Sequence, residues 1–262
     1  MGILNVTPDS FSDGGQFNDA GSALERIEEM VEEGAAIIDV GGESTRPGSD
    51  PVSLETEIKR TIPVIKKAVA EFSDILFSID TTKFEVAEQA LDAGAHLIND
   101  VSGLRKEPRF IRLCSESGAA YICMHSQSDP KTMQKNPEYS DVIDEISAFF
   151  KKRISQLKAE GVSNIVLDPG IGFGKSLNHN LEIIAELHQF TTLQCPVLIG
   201  ASRKSMIGAL LDGRPADDRL AGTLAIHYHC LINGASILRV HDVKEAADSI
   251  KIFSAIKKQS NK

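Results

Sequence analysis

"GILNVTPDSFSDGG", residues 2–15, joins a short apolar run to a polar loop rich in Gly and Asp. The run GILNV (2–6) shows no polar alternation, as expected of a strand buried on both faces. The same pattern returns in AIIDV (36–40), ILFSID (75–80), HLIND (96–100), AAYICM (119–124), NIVLD (164–168), CPVLIG (195–200) and SILRV (236–240). Amphipathic stretches lie between them, at 20–33, 54–72, 83–93, 108–117, 141–160, 177–189, 217–233 and 242–258. Eight βα units in 262 residues fit a closed (β/α)8 TIM barrel better than an open, doubly wound sheet. No Gly/Ser linker or charge block divides the chain, so residues 1–262 read as one domain.

Composition bounds the partners. The chain carries 28 Lys and Arg against 37 Asp and Glu, a net charge of −9. That argues against nucleic acid and anionic membranes, which want basic faces. A small anionic substrate remains open if the cations cluster locally. No run approaches the roughly 20 apolar residues of a membrane helix, and no secretory signal is visible. Cys114, Cys123, Cys195 and Cys230 have no CxxC spacing and sit in apolar runs, two strand-like and two helix-like. Buried thiols in a reducing cytoplasm fit better than disulfides or a zinc site.

In such barrels the active site lies at the C-terminal ends of the strands. Polar residues gather there. Strand 1 ends at Asn5, with Asp9 and Asp13 in the loop beyond, and strand 2 ends at Asp39 before GGESTRPG (41–48). Strand 3 ends at Asp80, strand 4 at Asn99 and Asp100, and strand 5 at Met124 and His125. Strand 6 ends at Asp168, strand 7 runs into GASRKS (200–205), and strand 8 ends with Arg239, Val240, His241 and Asp242. One such residue is usually a helix cap. Eight together point to a site.

These segments also carry a resemblance. GILNVTPDSFSDGG and GGESTRPG resemble the two signature segments of the dihydropteroate synthase family, and SIDTTK, INDVSG, DPGIGFGK, GASRKS and RVHDV are similar to its pterin-site segments in the same order. The resemblance runs from residue 2 to about 250. It implies a (β/α)8 fold, a homodimer, magnesium, and condensation of a dihydropterin pyrophosphate with p-aminobenzoate. Sulfonamides compete with the second substrate in that family. The segment MHSQSDPKTMQ (124–134) departs from the family's more usual Met and Gly after the histidine.

The resemblance implies residue roles, and the chemistry suits them. A pterin presents a guanidine-like edge of N–H donors, to which a carboxylate offers two parallel acceptors. Asp80, Asn99 and Asp168 are the implied pterin readers. Asp168 is also in position to cap the DPG turn, and Asn99 or Asp100 to cap the helix that follows. Lys204 would meet the pterin carbonyl and ring nitrogen, and Arg239 would stack on the ring and bind phosphate with its edge. Arg239 and His241 would hold the leaving pyrophosphate, so Lys204, Arg239 and His241 form the implied catalytic set. Asn5 is the implied magnesium ligand, a single neutral oxygen that needs the pyrophosphate to complete the site.

Thr45 and Arg46 carry the second signature loop's role over phosphate and p-aminobenzoate, with Pro47 and Gly48 shaping its turn. Ser202 and Arg203 belong near the aminobenzoate end, with Phe11, Pro47 and Lys204 as walls. Residues 7–18 read as a lid that presents Phe11 and Asp13 to the second substrate. An arylamine is a competent nucleophile at neutral pH, so an ionisation-like substitution governed by positioning is expected.

Other features count for less. PGIGFGKS (169–176) mimics a P-loop, but Pro169 replaces the required first glycine. Lys175 reads as a loop-end surface cation outside the core site. DDRLAGTLA (217–225) suggests packing and dimer contacts. With the first strand starting at residue 2, nothing precedes it to plug the barrel bottom, as if the chain were shortened or begun late. Three rivals fit less well: the pterin-binding barrel of a corrinoid methyltransferase needs no pyrophosphate clamp, intact Asn5, Thr45, Arg46, Lys204, Arg239 and His241 argue against a barrel that binds pterin without turnover, and Lys204 is not set inside a barrel strand as a Schiff-base aldolase would want.

Overall fold

A computed structural model describes residues 1–7, 18–43, 51–127 and 137–260, with backbone alone at 18–20 and 260. Eight parallel strands appear among the described residues: β1 Gly2–Asn5, β2 Ile37–Gly41, β3 Leu76–Asp80, β4 Leu97–Asp100, β5 Ala120–Met124, β6 Ile165–Asp168, β7 Leu198–Ile199 and β8 Ile237–Leu238. The helices are α1 Asn18–Glu32, α2 Leu54–Glu71, α3 Phe84–Asp92, α4 Phe110–Ser117, α5 Val142–Ala159, α6 Leu177–Ala185, α7 His188–Thr191, α8 Ser205–Leu210, α9 Leu220–Ile232 and α10 Val243–Ser260.

Strands β1 to β6 pair in order, and β7 pairs β8. Bridges Leu167–Val197 and Gly2–Val240 join the two groups at both seams, closing the barrel. β7 and β8 are shorter than the apolar runs CPVLIG and SILRV suggest. Pro196 has no N–H for the ladder, although its carbonyl accepts from Leu167 N at 2.9 Å. The 177–189 pattern splits into α6 and α7, and α8 precedes a 3-10 turn at Ala216–Asp218.

Local chemistry sets the helix ends. Ser53 caps α2 by accepting from Thr56 N at 3.2 Å, and Asp141 caps α5 by accepting from Asp144 N at 2.8 Å. Most of the core lies between strands and helices, with Ile27, Met30, Ile65, Phe110, Phe150 and Phe190 fully covered. Each buried side chain of this size contributes roughly 1.5–3 kcal/mol.

A second, smaller cluster fills the barrel itself. Leu97, Ile122, Val166 and Leu198 pack there with Met1, Ile37, Ala120 and Ile237. Two residues further along each strand lies the same face. There the sequence supplies Asp39, Asn99, Met124, Asp168, Gly200 and Arg239. An apolar floor under a polar rim is what the fold delivers to the site.

Candidate active site

At the centre of the rim is one cation between two acids. Arg239 donates from Nε to Asp39 Oδ2 at 2.6 Å and from an amino group to Asp80 Oδ2 at 2.9 Å. Asp39 is fully buried and Asp80 is 5% exposed. Asn99 donates from Nδ2 to Asp39 Oδ2 at 2.9 Å. The second oxygens, Asp39 Oδ1 and Asp80 Oδ1, are buried and have no hydrogen-bond partner among the described residues. Burial, then the neighbouring Asp39 charge, push Asp80 up to about 8 against the pull of Arg239. Burial alone would lower the Arg239 guanidinium, but Asp39 and Asp80 more than offset it and raise it.

The sequence named Asp39 only as a strand end; the structure gives it a larger part. Strand β2 continues to Gly41, and Asp39 sits inside the barrel as the shared acceptor of Arg239 and Asn99. The capping alternatives also resolve. Asp100 accepts from Ser102 N and Leu104 N at 2.8 Å each, and from the Tyr121 hydroxyl at 2.6 Å. Asn99 is thereby left to the rim. Asp168 caps its turn with Oδ1, which accepts from Gly170 N at 2.7 Å, and stays 6% exposed at the rim. Burial raises its carboxyl despite that bond and the nearby Lys204, Arg239 and Lys175.

Lys204 lies just before α8, immediately after the turn that leaves β7. Its ammonium donates to the Ile171 carbonyl and stands 4.1 Å from the centre of the Phe173 ring. Burial lowers it to about 8, while Asp168 opposes the shift. His241 is held by Ser202: the Ser202 Oγ and His241 Nδ1 are 3.0 Å apart, and His241 N donates to the same hydroxyl at 3.2 Å. Arg203 pairs with Asp242, its Nε 3.0 Å from Oδ2. Its backbone φ of 57° is left-handed, and its N donates to Thr223 Oγ1 at 3.1 Å.

Lys175 is not a surface cation. It is 3% exposed, with its ammonium 3.2 Å from both the carbonyl and Nδ1 of His125 and 3.0 Å from the Phe173 carbonyl. The sequence signal was present in the Gly-rich loop, but loop position alone suggested solvent. Asn5 ends β1, and Gly41 leaves room beside it: a Cβ on Gly41 would come within 3.7 Å of Asn5 Oδ1. Among the described residues no group of three or more His, Cys, Asp or Glu is arranged to hold a metal ion. Asn5, a single neutral oxygen donor at the end of β1, fits a hard ion such as magnesium that brings most of its oxygens with the substrate. Phe11, Asp13, Thr45, Arg46 and Pro47, and the lid at 7–18 from residue 8 to 17, lie outside the described residues, as do Ser128 and Asp129. Ser126, in contrast, bonds Arg105 and the Val101 carbonyl.

Comparison with known proteins joins this rim to a family. Residues 1–241 match the model of the pterin binding enzymes. The chain belongs to the pterin-binding enzyme family. Within it, the chain is 46% identical to the dihydropteroate synthase of Escherichia coli K12 over 257 residues, which is 97% of this chain and 90% of that protein. It is 45% identical to the Synechocystis enzyme, covering 98% and 89%. The Yersinia pestis dihydropteroate synthase, solved in a sulfonamide complex, superposes with a TM-score of 0.92 at 43% identity, covering 98% and 94%. The Xanthomonas albilineans enzyme, solved with 4-aminobenzoic acid, gives 0.91 at 40% identity, covering 98% and 92%. The fold is the TIM barrel of these synthases. The chain is a transferase of folate synthesis, as its curated relatives are dihydropteroate synthases.

Proposed function

We propose that the rim of the barrel condenses 6-hydroxymethyl-7,8-dihydropterin pyrophosphate with p-aminobenzoate to give 7,8-dihydropteroate and pyrophosphate, with Asp80, Asn99 and Asp168 reading the pterin, and with Lys204, Arg239 and His241 handling its carbonyl edge and phosphates. The orphaned oxygens of Asp39 and Asp80 carry the proposal. A buried acceptor without a donor is costly, and a pterin edge made of N–H donors removes that cost. Arg239, already fixed by two carboxylates, offers its flat face to the ring. Local cations in an acidic chain supply the expected attraction for an anionic substrate.

The chemistry then needs little from the protein beyond placement. The bond to pyrophosphate lies next to an electron-rich ring, which stabilises a developing methylene cation. Lys204, protonated on its shelf, holds the ring edge in register. His241, oriented by Ser202, and Arg239 stabilise the departing charge. The family resemblance assigns Thr45 and Arg46 to the phosphate and second substrate, and Phe11, Asp13 and Pro47, together with Ser202 and Arg203, to p-aminobenzoate. Its amine attacks once placed, without a strong base. Magnesium, where bound to Asn5 and the pyrophosphate, supplies Lewis-acid neutralisation of the leaving group.

The same reading extends to assembly and compartment. Ile232, Ile252 and Ile256 are 62%, 58% and 54% exposed on α9 and α10, an apolar face suited to a second copy of this chain. Four free cysteines, three of them buried, suit a reducing cytoplasm. No helix among the described residues is long and apolar enough to cross a membrane.

The test is Lys204→Ala in the condensation assay with labelled p-aminobenzoate. Turnover is expected to fall by about 100-fold or more, as for loss of a positioned charged donor. Turnover near that of the unmodified protein would reject the assignment.

A further inference from the structure

The Gly-rich loop after β6 did not fit a P-loop, yet it holds a buried cation that the reaction does not use. Residues 169–174 form a shelf under Lys204. The Ile171 carbonyl accepts from its ammonium, and the Phe173 ring lies beneath it. The shelf is anchored at three points. Gly172 N donates to Asn180 Oδ1 at 2.7 Å, and Asn180 Nδ2 donates to the Ser176 carbonyl at 2.7 Å. Lys175 supplies the others: it donates to the Phe173 carbonyl from within the loop and to the His125 carbonyl at the end of β5.

Space enforces the arrangement. Gly170 has a φ of +69°, and a Cβ there would come within 2.0 Å of the His125 carbonyl oxygen. Gly172 has a φ of +80°, and a Cβ would come within 2.9 Å of the Lys204 side chain. Glycine alone lets the loop approach both neighbours this closely. The loop therefore touches the β5 end on one side and Lys204 on the other, with the Lys175 ammonium between.

We infer that Lys175 is a positioning residue for the pterin site: by tying the Phe173 carbonyl to the β5 end at His125, it fixes the shelf on which Lys204 rests. The inference rests on the reading of the rim as the pterin site. Lys175 touches no substrate in this scheme; it acts through Phe173 and Lys204. Its surroundings keep it from being an ordinary surface charge. Asp168 from β6, Lys204 from the β7 turn, Arg105 from the turn after β4 and His125 from β5 all lie around it, and burial lowers it to about 7.

A purely structural lysine would lower stability and both substrate affinities together. A positioning lysine separates them. The experiment is calorimetric titration of the whole protein with 6-hydroxymethylpterin, together with the KM for p-aminobenzoate. Three variants are compared. Lys175→Met keeps the stem and removes the donor. Lys175→Gln keeps a donor for the Phe173 carbonyl. Asn180→Ala frees the shelf from its other side.

Lys175→Met and Asn180→Ala are each expected to weaken pterin binding by about tenfold or more, with a smaller rise in the KM for p-aminobenzoate, for which Lys204 is only one wall, and Lys175→Gln to recover most of the affinity. Unchanged pterin affinity in a folded Lys175→Met or Asn180→Ala overturns the inference. So does an equal loss in Met and Gln, which would make charge, not position, the cause. If Lys175→Met does not fold, the Gln and Asn180 variants decide by the same criteria. Asp168→Ala in the same titration keeps the two levels apart. Undiminished binding there would fail the pterin reading itself; diminished binding there, beside an intact Lys175→Met, would fail the shelf alone.

Discussion

Arg239 donates from Nε to Asp39 Oδ2 at 2.6 Å across 200 residues of sequence, joining the last strand to the second at the centre of the barrel. The same oxygen takes the Asn99 amide, so Asp39 orients a proposed reader and a proposed phosphate ligand together. Removing one partner of a buried pair leaves the other charge uncompensated. Asp39→Ala is expected to lower the unfolding free energy by about 3 kcal/mol or more, read as a drop in the urea midpoint. An unchanged midpoint would contradict the pairing.

Two groups with pKa values moved toward each other set the pH dependence. Asp80, raised to about 8, must be ionised to accept from the pterin edge, so pterin affinity rises as pH approaches 8. Lys204, lowered to about 8, must be protonated to donate, so affinity falls above it. The kcat/KM for the pterin substrate should therefore be bell-shaped with a narrow top near this pH. Asp80→Asn should flatten the acid limb and Lys204→Arg should push the alkaline limb upward. A flat profile in the parent protein would contradict the account.

Much of this was legible in the chain. Strands buried on both faces betray themselves by unbroken Ile, Val and Leu, and eight of them with helices between leave few closures. Strand-end polarity marked Asn5, Asp80, Asn99, Asp168, Arg239 and His241, because a parallel barrel turns chain order into one rim. What sequence could not show was contact between strands distant in order. Asp39 looked like a terminus because its pairing with Arg239 and Asn99 depends on closure. Lys175 looked solvated because burial of a loop end depends on what folds over it, here His125 and the turn after β4. The partners of Arg203 and Ser202, Asp242 and His241, lie 39 residues away in sequence and were equally out of sight.

Stability at acid pH should report a group away from the rim. His227 on α9 is fully buried, and neither ring nitrogen has a hydrogen-bond partner among the described residues. Burial lowers its pKa from 6.5 to about 4. The unfolded chain therefore takes up a proton that the folded chain refuses between these values. Stability is complete above 6.5 and lost as pH falls, by about 3 kcal/mol once pH reaches 4. His227→Leu should remove that share of the acid loss in paired urea titrations. An identical pH slope in the variant would contradict the assignment.

The Arg203–Asp242 pair makes a different prediction. Arg203 is proposed for the aminobenzoate end, and Asp242 holds its guanidinium through Nε at 3.0 Å. Asp242→Ala should raise the KM for p-aminobenzoate by about fivefold or more while pterin affinity stays near its starting value, since one oriented charged donor is lost. Parallel loss of both affinities would place the pair in general packing instead.

The most direct test of the central claim, that the rim carboxylates read the pterin, is the dissociation constant of 6-hydroxymethylpterin for Asp168→Ala. Asp168 is buried at the end of β6 beside Lys204. The account predicts binding weaker by about 100-fold in a protein that still folds, the cost of unpairing buried pterin donors. Affinity within about twofold of the parent would contradict it.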